Sequence, residues 1–371
     1  MDFSLNEDQL MIRDAAREVL AAQSDSAAVR RAMESESGLD DALWHQLGVE
    51  LGWCGIAISE AYGGLELGQR ELVLLLEQLG EHLSCVPFFS SVVLAASALQ
   101  HAAGQSVWET YLPRLASGEL SATLAWAGLD SENGEITVTA YHERDGYRLD
   151  GHLDYVVDGA SAELLLIPAR LDNEPALFAV EISTAGVSPE ALTTMDPTRG
   201  FASVTLSGAS ATYLGSGKSV EQGLVRTRDL ARLALAAEQL GVAQRCLDLS
   251  VAYTGERVQF GRAIASFQAV KHRCAEMMVR IEAARSAVYG AAATVTADPS
   301  TLAIETAMAK SVADEAAFFC AQEAIQLHGG VGFTWEYDPH LYFKRVQANA
   351  HWLGSSEILL EELAVPLLGP A

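Results

Sequence analysis

Arg257-Val-Gln-Phe-Gly-Arg-Ala-Ile-Ala-Ser-Phe-Gln268 is the stretch on which the fold of this 371-residue chain turns. Gly261 permits a tight reversal, because a residue without a side chain tolerates positive φ. Arg257 offers a forked donor that matches phosphate geometry, and Phe260 offers a ring to pack beside a bound group. The helix before the turn is marked by Leu233, Ala236, Ala237, Leu240, Ala243, Leu247 and Val251, which recur at i, i+3/i+4 spacing. Later segments repeat that pattern, so everything from about residue 216 reads as helical.

Working back toward the N-terminus, the periodicity changes. Ile136–Ala140 alternates, Tyr147–Gly151 is short and turn-bounded, and Leu164–Ile167 is a continuous apolar run before Pro168. Leu177–Val180 and Ala202–Leu206 add two more short segments, with turn residues every eight to twelve positions or so, the spacing of a small β-barrel or sandwich. Before about residue 118 the spacing is helical again: Leu5, Leu10, Met11, Ala15, Val19 and Leu20, then Leu72, Leu75, Leu76 and Leu79. Breaks fall at Tyr62–Gly64 and Ser84–Pro87. The expected class is α+β and mostly helical. An N-terminal α-helical domain (1–118) precedes a small middle β-domain (119–215) and a C-terminal four-helix bundle domain (216–371). No GxGxxG follows a strand, so a Rossmann site is not expected.

Composition narrows the class. Half the residues are hydrophobic and 20% are charged, with a formal net charge of −25. A field of that sign excludes a nucleic-acid partner. The five cysteines are scattered, odd in number and free of CxxC spacing, which reads as buried thiols in a reducing compartment. No segment approaches the ~20 apolar residues of a membrane span, and the acidic N-terminus lacks a leader's basic region. A cytoplasmic protein is expected. His328 and Cys320 show neither metal-ligand nor Cys–His nucleophile spacing, so no metal site is expected.

The order of helices, β-domain and helical bundle resembles the acyl-CoA dehydrogenase family along essentially the whole chain. Arg257–Gln268 is similar to that family's Arg-x-x-Phe-Gly-x-x-(Ile/Leu)-x-x-x-Gln segment. Gln326-Leu-His-Gly-Gly-Val-Gly332 is similar to its Gln-x-x-Gly-Gly-x-Gly. Gly329 and Gly330 let backbone approach a ligand, and Gln326 supplies a donor and an acceptor. The resemblance implies FAD shared across a subunit interface, with Arg257, Phe260, Gln268, Gln326, Gly329 and Gly330 reaching the cofactor of a neighbouring subunit. It also implies an acyl-CoA substrate and an electron-transferring flavoprotein as acceptor.

The pattern fails where the chemistry begins. Trp352-Leu-Gly-Ser-Ser-Glu357 resembles the family's Tyr-Glu-Gly-Thr-Ser-Glu/Gln, whose first Glu removes the substrate α-proton. Here the base position is Leu353. Some members carry the Glu on an earlier helix, directly before an Arg; that pair here is Ala231-Arg232, with Arg232 a weak substrate-binding candidate. Glu238, seven residues on and hence on the same helical face among small apolar neighbours, is the remaining candidate base, though a structural ion pair suits it as well. Glu357 matches a position that is not the base. Two flavin-ring contacts are also altered. The loop resembling Thr-Glu-Pro-x-Ala-Gly-Ser-Asp is replaced by Trp126–Gly134, and Trp-Ile-Thr-Asn-Gly becomes Tyr155-Val-Val-Asp-Gly159, with Val157 lacking the Thr hydroxyl. Arg199 could meet substrate or flavin phosphate, or form a surface pair.

Three readings follow. In the leading one, this chain is the non-catalytic subunit of a heterotetrameric acyl-CoA dehydrogenase, similar to those acting on steroid side-chain thioesters, and completes the FAD site of a paralogous partner. In the second, a self-sufficient homo-oligomer uses Glu238 or another base. In the third, a non-enzymatic scaffold keeps only the fold.

Overall fold

A computed structural model describes residues 4–129, 135–144 and 146–369. The N-terminal helices are α1 (Glu7–Gln23), α2 (Ser26–Met33), α3 (Asp41–His45), α4 (Gln69–Glu81), α5 (Ala96–Ala102) and α6 (Trp108–Ala116). The strands β1 (Ala122–Leu124), β2 (Val138–Glu143), β3 (Gly146–Val157), β4 (Leu164–Leu171), β5 (Glu174–Glu181), β6 (Val187–Ala191) and β7 (Phe201–Ser216) follow. Then come α7 (Lys218–Glu256), the hairpin strands β8 (Val258–Gln259) and β9 (Arg262–Ala263), and the helices α8 (Gln268–Ala297), α9 (Leu302–His328), α10 (Pro339–Asn349) and α11 (Ser356–Leu368). Helices, a strand barrel and helices again succeed one another, as the change of periodicity indicates.

Residues Met1–Arg30, Gln69–Ser84 and Arg232–Ala371 make one compact unit. Asn6 starts it with a capping box: its side chain accepts the Gln9 N–H and Gln9 returns the bond to the Asn6 N–H. Within this unit α4 packs on α1 and α8, while α9 receives α8, α10 and α11. The approach of α7 to α4 is backbone on backbone. A methyl group on Gly241 would stand 1.8 Å from the Glu77 carbonyl oxygen, and one on Gly80 would stand 2.2 Å from that of Glu238.

Arg31–Gly68 and Cys85–Ala231 make the other unit. Its sheet pairs β4–β2–β3–β7–β5 and returns from β5 to β4, so the barrel closes on itself and leaves no free edge in that ring. Closure decides between barrel and sandwich. Leu149, Leu153, Val156, Leu165, Ile167, Phe178, Val180 and Val204 fill the interior. Two strands escape the sequence reading. β1 is only three residues long and wholly buried, so it shows no alternation. β6 carries Pro189 and lies mostly exposed, pairing only with β7.

Two histidines make both units acid-sensitive. Burial is the main cause that pulls His82 and His101 down from 6.5 to about 4. Each is held neutral in the fold and takes up a proton more readily when unfolded. Their contribution is therefore complete above pH 6.5 and is lost as pH falls toward 4, by on the order of 3 kcal/mol each at most. Urea midpoints measured across that range should fall, and His82→Gln and His101→Gln should each flatten the slope.

Candidate functional site

The turn after α7 is built as the glycine demands. β8 and β9 pair Val258 with Ala263 and Gln259 with Arg262, leaving Phe260 and Gly261 as the two turn residues. Both have positive φ, 54° and 78°, the pattern of the two-residue hairpin turns that suit strand twist. For Gly261 this is free of steric cost; for Phe260 it is not, and its ring is nevertheless 90% exposed. The hairpin holds the ring outward, with an edge contact to Phe267 at 6.1 Å. Arg257 and Gln268, at either end of this turn, are exposed too.

The second segment ends α9. Gln326 is exposed, and Gly329 leaves the helix with φ 63°. A methyl group added to Gly329 or Gly330 would meet nothing within 4 Å, unlike one on Gly80 or Gly241. Internal packing does not require a bare backbone at Gly330. The two segments are brought together by a ring stack. Tyr253, one turn before Arg257, lies on His328 with centroids 4.4 Å apart, and Tyr337 meets both edge-on. His328 donates its Nδ1–H to the Ala324 carbonyl at 2.7 Å, and burial pulls its pKa down.

The base position lies in a buried turn. Leu353 is 0% exposed and adopts φ 62°, and Gly354 follows at φ 101°. Two buried cations hold successive carbonyls of this turn: Arg232 Nε donates to Leu353 O at 2.9 Å, and Lys310 Nζ donates to Gly354 O at 3.0 Å. Arg232 is also bidentate with Glu362, at 2.6 and 3.0 Å, so its guanidinium is committed to the turn and to α11. Lys310 pairs with Asp314 at 2.5 Å, and Asp314 accepts Gln239 Nε2, which shares its amide with Asn349. Burial pushes the Asp314 carboxyl up while Lys310 pulls it down. Ala231 is buried; Glu238 is buried on α7 with its backbone against Gly80. Glu357 sits in the first turn of α11, where a carboxylate suits the helix dipole.

In the middle domain Val157 is 2% exposed, while Tyr155 points out at φ 54°. Asp158 is buried, accepts Ser90 Oγ at 2.6 Å and donates its N–H to Gly200 O at 2.9 Å. Of the replaced loop, residues 130–134 lie outside the described residues. Trp126 is buried, with its Nε1–H on the Glu135 carbonyl at 3.1 Å. Arg199 is not in a surface pair: it is nearly buried, with its guanidinium 5.1 Å above the Phe89 ring.

Sequence reasoning missed Lys310, Asp314 and Glu362. An i, i+4 Lys–Asp pair ordinarily marks a solvated helix face. The signal against that was present: Ala307, Ala313 and Ala317 share the face of α9 that carries Lys310 and Asp314. Among the described residues no group of three or more His, Cys, Asp or Glu could hold a metal, and no helix is long and apolar enough to cross a membrane.

Comparison with known proteins gives the same outline. The family described as acyl-CoA dehydrogenase, N-terminal domain, matches residues 6–119, and acyl-CoA dehydrogenase, C-terminal domain, matches residues 224–368. The acyl-CoA dehydrogenase IpdE2 of Mycolicibacterium smegmatis is 35% identical over 360 residues, covering 97% of this chain and 98% of the relative. The ChsE4-ChsE5 complex from Mycobacterium tuberculosis contains a chain with TM-score 0.89 and 31% identity, covering 100% of both. A variant of the Tcur3481-Tcur3483 steroid ACAD gives TM-score 0.86 at 31% identity, covering 97% of this chain and 98% of that one.

Proposed function

From the premise that the chain belongs to the acyl-CoA dehydrogenase family of oxidoreductases, we propose that it is the non-catalytic subunit of a heteromeric member. In this reading it completes a paralogous partner's FAD site and leaves proton abstraction to that partner. The observation that carries it is Leu353: at the base position stands a fully buried leucine in a turn fixed by Arg232 and Lys310. A leucine side chain takes no proton. The heteromeric ChsE4-ChsE5 and Tcur3481-Tcur3483 relatives support a paired assembly and a steroid-like thioester as substrate class.

The residues fall into two halves in their fit to FAD. The outward half fits: Arg257, Phe260, Gln268 and Gln326 are exposed, and the backbone at Gly329 and Gly330 is open to close approach. Arg257 would hold pyrophosphate oxygens by its fork, Phe260 would pack beside the cofactor, and Gln326 would bond its polar edge. The chain's own ring contacts do not fit, because Val157 has no hydroxyl and the Asp158 carboxylate is taken by Ser90. The chemistry the flavin supplies in this family is acceptance of a hydride from the acyl β-carbon. Electrons would pass on to an electron-transferring flavoprotein. The domain limits 1–118, 119–215 and 216–371 belong to the same proposal.

Co-purifying this chain with its paralogous partner tests the lending role. Arg257→Ala, placed in this chain only, should weaken FAD retention by the complex roughly tenfold or more, the loss of a charge-assisted pair. Retention equal to that of the parent complex would contradict it.

A further inference from the structure

Directly after β1, where the resemblance places a flavin-ring loop, the chain folds down on its own barrel. The turn Ala127–Leu129 packs against β3, the strand that ends in Tyr155-Val156-Val157. The Trp126 indole is buried beside it and pinned at its polar end by the Glu135 carbonyl. Gly128 is the residue that lets the ring lie flat there: a methyl group on it would stand 2.3 Å from Trp126 Cε2 and Nε1. Leu129 is buried as well. A tryptophan and a leucine are thus buried in and beside a turn that packs on β3, and the one polar side-chain atom among them is bonded, so these two residues need no cofactor to satisfy them.

We propose that this loop is a built-in plug: Trp126 and Leu129 seal the place in this chain's middle domain where a flavin ring would otherwise be held. The missing hydroxyl at Val157 is then not the whole cause of the misfit. Restoring it leaves the room still filled by the indole. The proposal rests on the non-catalytic reading but adds a separate claim, that flavin is excluded by occupancy and not merely by a lost hydrogen bond.

The test is FAD binding by the full-length chain purified alone, measured by equilibrium dialysis and flavin absorbance, with circular dichroism to verify folding. Val157→Thr is nearly isosteric, and the plug predicts that it binds no more FAD than the parent. Val157→Thr combined with Trp126→Ala should bind FAD roughly tenfold or more tightly than Val157→Thr alone, the value of a hydroxyl that can now reach its acceptor. If the alanine variant does not fold, Trp126→Leu in the same background keeps an apolar filler of smaller size and should show a smaller gain of the same sign. A gain from Val157→Thr alone would overturn the plug while leaving the partner-lending reading intact. So would a folded double variant that binds no better. If the lone parent chain is already saturated with flavin, both the plug and the lending reading fall.

Discussion

Lys310→Met should destabilise the folded chain by about 3–5 kcal/mol, the cost of stranding a buried charge. Lys310 is 0% exposed and is bonded to Asp314 Oδ2 and to the Gly354 carbonyl. Methionine fills much the same volume, so the loss is electrostatic rather than a cavity. Asp314 keeps the Gln239 amide as a donor, and burial already pushes that carboxyl upward. Removing the ammonium pushes it further, so the folded variant binds a proton that the unfolded chain releases. Stability of the variant should therefore fall as pH rises and recover as pH is lowered. Urea denaturation of parent and variant across the pH range reads both effects. Lys310→Met with Asp314→Asn should recover most of the loss, since a neutral pair leaves no charge unpaired. Equal losses in the single and double variants would show that the ion pair is not what anchors the Leu353-Gly354 turn.

Gly241→Ala should cost about 3 kcal/mol, at the upper end for overpacking, because the obstacle is backbone. The methyl group would stand 1.8 Å from the Glu77 carbonyl and 2.7 Å from the Glu81 nitrogen, and neither can rotate away. α4 would have to move off α7. That movement disturbs Glu77, which binds the Arg285 guanidinium and accepts Tyr289 Oη at 2.6 Å. Gly330→Ala is the control. It meets nothing within 4 Å, and a change within about 0.5 kcal/mol is expected. Chemical denaturation of the two variants should separate a glycine required by packing from one that packing does not require.

The contrast shows what was legible in the sequence. Helical spacing marked the two helical regions, while alternation marked β2 and short turn-bounded apolar runs marked strands such as β4 and β5, which are buried almost throughout. The tight turn at Gly261 was legible because a reversal needs a residue that tolerates positive φ; the two short strands that flank it were not. β1 was not legible, since three buried residues carry no period, and the ring is closed by pairings remote in sequence, β2 with β4 and β7 with both β3 and β5. At the site, the frame was readable and its bracing was not. Leu353 in place of a carboxylate stands in plain view. That its turn is held by Arg232 and Lys310, and that Arg232 is tied to Glu362, depends on contacts more than forty residues apart. The close approach at Gly80 and Gly241 was not legible, because each glycine meets backbone of the other's helix more than 150 residues away in sequence.

FAD bound per polypeptide, followed by anaerobic addition of an acyl-CoA thioester, tests the central claim most directly. The account predicts a lone chain with no flavin to bleach, and a complex with the paralogous chain that holds one FAD for every two polypeptides and is reduced by the thioester. A lone chain that is yellow and is bleached by the thioester would contradict it and would favour a self-sufficient enzyme using Glu238 or another base. A complex that stays colourless would contradict it equally, and would leave only a scaffold.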